Sequence, residues 1–217
     1  MGNILIPIST VYIKRNGLIG VIKEGLLMVD VKHYTFIEGK NLSLCAANID
    51  NINLYASWDN NPDVRKYTHN LFPKTSAEHK KYMESGQDRT PREIGFEVWH
   101  KGDDKPIGFI RFNYIDWADR LGNYSLQIGD LSYWNKNLEL EATFLLLEYA
   151  FNELNLVKIT TDMYEMNTAS WKICEKLGMN RELVLKKQAY LKGKYVDIYQ
   201  YSLFKDDWEN LRQKIEF

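Results

Sequence analysis

The chain has 217 residues, 45% of them hydrophobic and 26% charged, which is typical of a globular protein with one large core. Its formal net charge of -1 excludes the clearly basic balance of most nucleic-acid-binding domains, so we predict no nucleic-acid partner. No apolar run approaches the roughly 20 residues that span a bilayer, and the N-terminus lacks the pattern of a secretory signal. With Cys45 and Cys174 too few for a disulfide framework, we expect a soluble, cytoplasmic protein without a membrane partner.

Residues 1–35 are predicted to form a small β meander that extends the main domain. Asn16-Gly17 lies between two apolar runs and is a strong hairpin signal, because both residues tolerate positive φ. Glu24-Gly25 is predicted as a second turn, before a third strand over 26–31. Such an extension could pad the core or form the contact of a homodimer.

One strand and two helices are predicted between residues 36 and 92. Residues 36–45 alternate as a strand does, and Asp50 is placed to cap a helix that runs through Trp58. Pro62 prevents that helix from continuing. A second helix is predicted near 76–85, with a weak start because Ser76 and His79 do not form a capping box. Residues 87–92 are predicted as a loop.

The second half of the chain indicates a sheet with helices packed on it. Strands are predicted at 93–100, 106–115 and 124–129, joined by short turns as in an antiparallel meander. A helix over 139–154 and a strand over 156–163 then suggest a right-handed β-α-β unit with parallel strands. The predicted elements that close the chain are a helix over 167–178, a hairpin turning at 192–194 and a polar helix over 206–217.

The loop between the strand 124–129 and the helix 139–154 is the first candidate site. The first N–H groups of a helix lack internal partners and favour anions, so a strand, a short loop and a helix start make a natural phosphate cradle. Phosphate cradles usually carry glycines, which let the backbone approach the anion, and this loop has none.

The order of these elements over residues 36–208 resembles that of the GCN5-related N-acetyltransferase (GNAT) superfamily, in particular its RimJ/RimL-like branch. The strings that carry the resemblance include Pro106-Ile107-Gly108, Ile128-Gly129-Asp130, Tyr133-Trp134 with Glu141, Asn167, Glu175-Lys176-Leu177-Gly178-Met179 and Lys192-Gly193-Lys194-Tyr195. It implies an α+β fold, an α/β/α sandwich whose mixed central sheet is splayed between two parallel strands. This GNAT domain would cover 36–217, after the N-terminal extension.

The same resemblance implies an enzyme that moves an acetyl or other short acyl group from acyl-CoA to a primary amine by direct attack. Acetyl-CoA or another acyl-CoA would be the cosubstrate, and no metal would be needed. The pantetheine arm would bind near Leu126, Ile128, Gly129, Asp130 and Asn167. The diphosphate would bind the loop and the helix start, formed by Trp134, Asn135, Lys136, Asn137, Leu138, Glu139 and Leu140.

The acceptor amine is left open by the resemblance. An amino sugar, including a nucleotide-linked one, a small metabolite amine and a protein N-terminus are all compatible with it. The alternative is a non-catalytic GNAT-fold binding or regulatory protein that has lost normal CoA binding. That alternative draws its support from the loop, where relatives place small residues and this chain has Asn135, Asn137 and Glu139.

These three positions lead to two expectations. Asparagine tolerates left-handed backbone geometry, so Asn135 and Asn137 should preserve the shape of the loop. A Glu139 carboxylate about 5 Å from a diphosphate charge, at an effective dielectric of about 20, would cost on the order of 3 kcal/mol. Either Glu139 turns to solvent, where it suits the helix dipole, or it stays near the diphosphate, where Lys136 would offset part of the cost.

Candidate residues for the chemistry come partly from the resemblance. Many relatives place a tyrosine that protonates the leaving thiolate in the second helix; the aligned residue here is Cys174, and Ser170 lies one turn earlier. Glu97 faces the opposite side of its strand from Phe96 and Val98, so it is either a general base or simply an exposed residue. Relatives also have a glutamate where this chain has Asn123. The candidate substrate contacts are Arg111, Tyr114 and Asp116. The four histidines, His33, His69, His79 and His100, show no metal-ligand spacing, so no metal site is predicted.

Overall fold

A computed structural model describes residues 2–15, 18–31, 33–68, 70–84 and 90–215, with side chains from residue 33 onward. These residues form two compact units, Met1–Tyr34 and Thr35–Phe217. The predicted turn at Asn16-Gly17, His69 and part of the loop predicted over 87–92 lie outside the described residues.

The first unit is a two-stranded antiparallel hairpin of β1 (Gly2–Arg15) and β2 (Leu18–Val31). The predicted three-stranded meander is wrong in one respect. Glu24 and Gly25 do not turn the chain but lie within β2, with Gly25 paired to Ile8. Pairing runs from Gly2 with Val31 to Arg15 with Leu18, so the predicted second and third strands are one continuous strand, β2.

The second unit is built on an eight-stranded mixed sheet of order β3-β4-β5-β6-β7-β8-β10-β9. Strands β3 to β7 pair antiparallel, and this part includes the predicted meander of β5 to β7. Among the described strands, β7 and β8 are the one parallel pair. The strands are β3 (Thr35–Glu38), β4 (Leu42–Ala46), β5 (Ile94–His100), β6 (Lys105–Asp116), β7 (Leu121–Ile128), β8 (Lys158–Tyr164), β9 (Asn180–Leu191) and β10 (Lys194–Phe204).

The two parallel strands separate soon after they start. Pairing between β7 and β8 covers three positions and ends with Asn123 opposite Thr160, although β7 continues to Ile128 and β8 to Tyr164. Each strand keeps its other neighbour, since β7 remains paired with β6 and β8 with β10. The sheet therefore opens between β7 and β8, which confirms the predicted splayed α+β fold.

Helices cover both faces of the sheet: α1 (Ile52–Asn60), α2 (Ser76–Glu84), α3 (Leu138–Glu148), α4 (Thr168–Lys176) and α5 (Lys205–Leu211). Successive strand residues point to opposite faces. On β6, Phe109 contacts Tyr55 and Trp58 of α1, whereas the neighbouring Ile110 joins the main core with Leu146 of α3. We call the face under α1 and α2 the acceptor face and the face under α3 and α4 the cofactor face. The predicted helix over 139–154 is α3 followed by a π-helical turn, Tyr149–Glu153.

Three local predictions are corrected by the structure. The predicted strand 36–45 is two strands, β3 and β4, separated by a turn in which the Gly39 N–H donates to the Leu42 carbonyl. Asn48 rather than Asp50 caps the helical turn before α1, and its side chain accepts from the Asp50 N–H. A capping box does precede α2, one residue earlier than Ser76, between Thr75 and Glu78.

The tail helix is less polar than predicted. Trp208 of α5 is fully buried, packs on Phe144 and Phe151 of the α3 region, and donates its indole N–H to Glu148. Burial of this indole attaches the C-terminal helix to the core. No helix in the described part of the chain combines the length and the apolar character needed to cross a membrane.

Candidate active site

The opening between β7 and β8 presents unpaired backbone groups of β7. Gly129 and Asp130 both donate their N–H groups to the Ile107 carbonyl, so they face β6. Hydrogen bonding alternates along an antiparallel strand, so the N–H groups of Leu126 and Ile128 point the other way, into the opening. The predicted pantetheine contacts therefore divide: Leu126 and Ile128 offer backbone donors, and Gly129 and Asp130 do not.

Steric contacts explain why two positions in the strings that resemble the GNAT family, Gly108 and Gly129, are glycines. A Cβ on Gly129 would lie 2.2 Å from the Trp58 ring, and a Cβ on Gly108 would lie 2.2 Å from the Gln127 carbonyl oxygen. Only glycine permits these close approaches. The Ile128 carbonyl accepts the indole N–H of Trp134 at 2.8 Å, which ties the loop to the end of β7.

The glycine-free loop adopts the left-handed geometry that glycines would supply. Asn135 has φ of 62° and Asn137 has φ of 59°, and Asn137 is the residue immediately before α3. Both are asparagines, which enter this region more readily than other residues that carry a Cβ. The left-handed backbone geometry on which the expectation for the loop rests is therefore present at both residues.

Glu139 is not fully turned to solvent. Its side chain is half-buried in the first turn of α3, and burial raises the pKa of its carboxyl group. Leu138 and Leu140 on either side are buried in the core and hold this turn in place. Glu141 is also buried, but its carboxylate accepts the N–H groups of Asn41 and Leu42, at 2.7 and 3.1 Å, and so joins α3 to β4.

A cavity of about 390 Å³ lies at this start of α3. Asn137 and Leu138 line it together with three lysines, Lys136 from the loop, Lys176 from α4 and Lys214 from the C-terminal segment. Unpaired helix N–H groups and three ammonium groups together favour a polyanion such as a diphosphate. The sequence drew attention to Lys136 alone, because Lys176 and Lys214 reach the cavity through the packing of α4 and α5.

On the cofactor face, α4 begins at Asn167, whose side chain accepts the Ser170 N–H at 3.4 Å and so caps the helix. Ser170 is half-buried in the first turn of α4. Cys174 lies further along α4. Its side chain is 3% exposed, and its sulfur lies 3.9 Å from the Tyr124 hydroxyl of β7. Burial raises the pKa of the Cys174 thiol to about 12, so this thiol is a poor proton donor.

Glu97 lies on the acceptor face but is completely buried. Its Oε1 accepts from Asn51 Nδ2 at 2.8 Å and from the Tyr55 hydroxyl, which attaches α1 to β5. A general base must reach the proton that it removes. We therefore correct the predicted catalytic role of Glu97 to a structural one, because its carboxylate is enclosed by α1.

The exposed part of the acceptor face carries a hydrogen-bond network that crosses four strands. Asn113 of β6 donates to Asn123 of β7 at 3.1 Å, and Asn123 Nδ2 donates to Asp162 of β8 at 2.8 Å. Gln200 of β10 donates to the other oxygen of Asp162 at 2.9 Å. Asn123 and Asp162 thus sit where β7 and β8 begin to separate.

The predicted substrate contacts border this network. Arg111 donates to Asn113 at 3.2 Å. Tyr114 donates to Asp116 Oδ2 at 2.8 Å, and Asp116 Oδ1 accepts the N–H groups of Ala118 and Asp119. Asp116 therefore organises the turn after β6, while Arg111 and Tyr114 remain exposed toward the acceptor side.

Asp162 was missed by the sequence reasoning. One signal was present, because β8 alternates polar and buried residues, with Thr160 and Asp162 on one face and Ile159, Thr161 and Met163 on the other. The register that places Asp162 beside Asn123 is not visible in that alternation. Within the described residues, no group of three or more His, Cys, Asp and Glu side chains is placed to hold a metal ion.

A sheet opened between parallel strands, with an anion-binding helix start on one face and polar acceptor groups on the other, defines the class of acyl-CoA-dependent acetyltransferases. Residues 41–180, more than half of the chain, match the family model described as Acetyltransferase (GNAT) domain, and the chain belongs to this family. It is thus an acyl-CoA-dependent N-acetyltransferase with acetyl-CoA as its cosubstrate.

Individual proteins are similar to this chain in sequence or in fold. A relative described as uncharacterized N-acetyltransferase p20 of Bacillus licheniformis is 26% identical over 172 residues, which cover 78% of this chain and 96% of the relative. Spermidine N-acetyltransferase from Vibrio cholerae, solved with CoA and spermine, superposes with a TM-score of 0.72 at 19% identity, over 79% of this chain and all of the other. The microcin C7 self-immunity acetyltransferase MccE, solved with acetyl-CoA and AMP, has a TM-score of 0.65 at 17% identity, over 76% and 93% of the chains.

Proposed function

We propose that this chain is a cytoplasmic enzyme of the RimJ/RimL-like branch that acetylates a small hydroxylated primary amine, an amino sugar or a nucleotide-linked amino sugar. The observation that carries the proposal is the composition of the exposed acceptor face. Amide and hydroxyl groups surround the exposed carboxylate of Asp162 there: Asn113, Asn123, Ser125, Thr160 and Gln200.

A face of this composition suits a ligand with one ammonium group and several hydroxyl groups. Amide and hydroxyl side chains both donate and accept, as sugar hydroxyls do, whereas carboxylates only accept. A polyamine, such as the spermine named with the Vibrio cholerae enzyme, carries only donors in its ammonium groups and would leave the donor groups of these amides and hydroxyls unused. The AMP named with MccE is a precedent for a nucleotide on this fold.

Aromatic and basic groups at the edge of the face support the nucleotide-linked form. Tyr82 and Tyr114 are more than 40% exposed, and the Arg92 guanidinium lies 5.9 Å from the centre of the Tyr114 ring. Exposed rings offer stacking surfaces, and guanidinium groups bind phosphate well. Arg111 adds a second guanidinium on the same side.

The chemistry follows from the two faces of the opening. Acetyl-CoA supplies the thioester, with its diphosphate at the lysine-lined cavity and its pantetheine arm along β7. The N–H group of Leu126 or Ile128 would stabilise the oxyanion that forms when the amine adds to the acyl carbon. Collapse of that adduct releases the thiolate.

Calorimetric titration with acetyl-CoA and longer acyl-CoAs, followed by an acceptor screen, tests the proposal. We expect micromolar binding of acetyl-CoA and acetylation of D-glucosamine or a nucleotide-linked amino sugar in preference to spermidine and to a peptide N-terminus. Lack of binding to any acyl-CoA up to millimolar concentration would favour the non-catalytic alternative. Preference for spermidine would overturn the acceptor class and leave the enzyme class intact.

A further inference from the structure

We propose that Asp162 is the catalytic residue that binds the ammonium group of the acceptor and removes its proton. This assignment rests on the proposed function, because it assumes that an amine is acetylated at the opening between β7 and β8. The base of this chain would then lie on β8. In relatives the corresponding carboxylate is at position 123, on β7.

The position of Asp162 is set by the splay of the sheet. The last parallel pair joins Asn123 to Thr160, and Asp162 is the next residue on β8 whose side chain shares the face of Thr160. Asp162 is exposed, unlike the fully buried Glu97 on the same face. A carboxylate at the point where the strands part can meet an amine that approaches from the acceptor face.

The carboxylate is held by neutral donors on both sides. Oδ2 accepts from Asn123 Nδ2 at 2.8 Å, and Oδ1 accepts from Gln200 Nε2 at 2.9 Å. Each carboxylate oxygen can accept further hydrogen bonds, so both retain capacity for an ammonium donor. In the described part of the chain no lysine or arginine forms an ion pair with Asp162, so its charge is not already matched by a cation.

The same contacts explain why position 123 can be an asparagine. An amide at 123 and a carboxylate at 162 lie within one hydrogen bond of each other. A carboxylate entering from β8 therefore occupies nearly the place that a carboxylate from β7 would fill. Two carboxylates so close would repel each other, so an amide is the compatible partner at 123.

The reaction balances with Asp162 as proton acceptor. One proton passes from the bound ammonium group to the Asp162 carboxylate and then to solvent, which leaves a neutral amine. The amine nitrogen forms the new N–C bond to give the oxyanion adduct, and the C–S bond then breaks with its electron pair leaving on sulfur. The second nitrogen proton is lost as the thiolate gains one, so the products are the amide and the free thiol.

The test exchanges the two interacting groups. D162N should lower kcat/KM for D-glucosamine about 100-fold or more, within the range for loss of a general base, and leave the Kd for acetyl-CoA within twofold. The double variant N123D/D162N returns a carboxylate to the same site from β7 at unchanged net charge and should recover at least tenfold of that loss. E209Q on the exposed face of α5 is the matched control and should behave as wild type.

Each outcome separates this assignment from the proposed function. Activity of D162N within threefold of wild type overturns the role of Asp162 alone. If D162N is poorly folded, judged by its melting temperature and acetyl-CoA binding, the double variant decides: a folded double variant without activity overturns the assignment. A wild-type chain that binds acetyl-CoA yet acetylates no amine contradicts the proposed function itself, and the assignment with it.

Discussion

The cofactor face and the acceptor face of the opening are constructed in different ways. On the cofactor face, the shape of the loop depends on the backbone of two residues, Asn135 and Asn137, both with positive φ. On the acceptor face, the site depends on side chains from four strands, which Asn123 and Asp162 connect at the centre. The cofactor face thus depends on the conformation of a short segment, and the acceptor face depends on the register of its strands.

This difference explains how one fold can hold a constant cofactor and accept varied amines. In the proposed function, the loop would hold the diphosphate partly through backbone N–H groups, so its side chains could change as long as the backbone conformation and the nearby lysines are retained. Each acceptor-face residue would contribute its side chain directly, so a substitution there would change what is recognised. Variants on each face should therefore fail in different measurements.

The largest effect on cofactor binding is expected from Asn137→Val. A β-branched residue is strongly disfavoured at φ of 59°, at a cost of about 1–2 kcal/mol or more. The loop would rearrange, and the Kd for acetyl-CoA should rise roughly tenfold or more. Calorimetric titration measures this change. Asn137→Gly is the matched control and should stay within threefold of wild type, since glycine adopts positive φ readily.

An unchanged Kd in Asn137→Val would show that the diphosphate does not depend on the loop conformation. The claim that cofactor binding depends on the backbone conformation of Asn135 and Asn137 would then be wrong. A loss of affinity in both variants would instead assign the effect to the Asn137 side chain rather than to its backbone.

On the acceptor face, Glu97→Gln should separate structure from catalysis. The buried carboxylate accepts from Asn51 and Tyr55, and its loss should lower the free energy of unfolding by about 1–3 kcal/mol. Because the side chain is enclosed, kcat/KM of the folded protein should stay within threefold of wild type. Urea unfolding and steady-state kinetics test both parts, with Glu84→Gln on exposed α2 as the control.

Glu97→Gln and D162N should thus give opposite patterns. The first loses stability and keeps activity, and the second loses activity and keeps acetyl-CoA binding. A Glu97→Gln variant with normal stability but greatly reduced kcat/KM would return Glu97 to the position of general base.

The order of strands and helices was predictable because it rests on local patterns. Apolar periodicity located β5 to β8 and α3, and the positive φ of Asn135 and Asn137 followed from the preference of asparagine. The turn at Gly39 was missed because the alternating residues 36–45 read equally well as one strand. The requirement for glycine in this turn comes partly from distant residues, since a Cβ on Gly39 would lie 2.7 Å from Glu141.

The candidate site was predictable only where it is local. The sequence does not state the register that brings Asn123 and Asp162 together, because these residues are 39 positions apart. The same limit applies to Glu97, whose exposure on a strand cannot be known until α1 is placed over it. Lys176 and Lys214 reach the cavity beside Lys136 for the same reason.

A smaller effect is expected from Glu139→Gln. Burial raises the pKa of Glu139 above its ordinary value near 4.5, so the folded protein binds more protons than the unfolded chain between those two pKa values. Stability conferred at low pH is therefore lost as the pH rises through this window. Glutamine removes that loss, so the melting temperature of the variant should exceed that of wild type more at pH 7 than at pH 4.

The same substitution should affect the cofactor in the same direction. A charged Glu139 in the first turn of α3 opposes a diphosphate there, so Glu139→Gln should bind acetyl-CoA roughly threefold to tenfold more tightly at pH 7.5. Because titration of the cofactor phosphate is common to both proteins, the ratio of their Kd values isolates Glu139. An unchanged Kd in Glu139→Gln at pH 7.5 would contradict this account, and exposed Glu153→Gln is the control.

The smallest effect is expected from Cys174→Ala. Protonation of a leaving thiolate with an ordinary pKa of about 8.5 by a thiol of pKa about 12 is uphill by about 5 kcal/mol. Turnover and its pH profile should therefore change less than threefold, while the small cavity costs about 1 kcal/mol of stability. Cys45, equally buried and located on β4, provides the matched variant Cys45→Ala. A tenfold loss of kcat in Cys174→Ala alone would restore the predicted proton donor, and the leaving group would then depend on the thiol and its neighbour Tyr124.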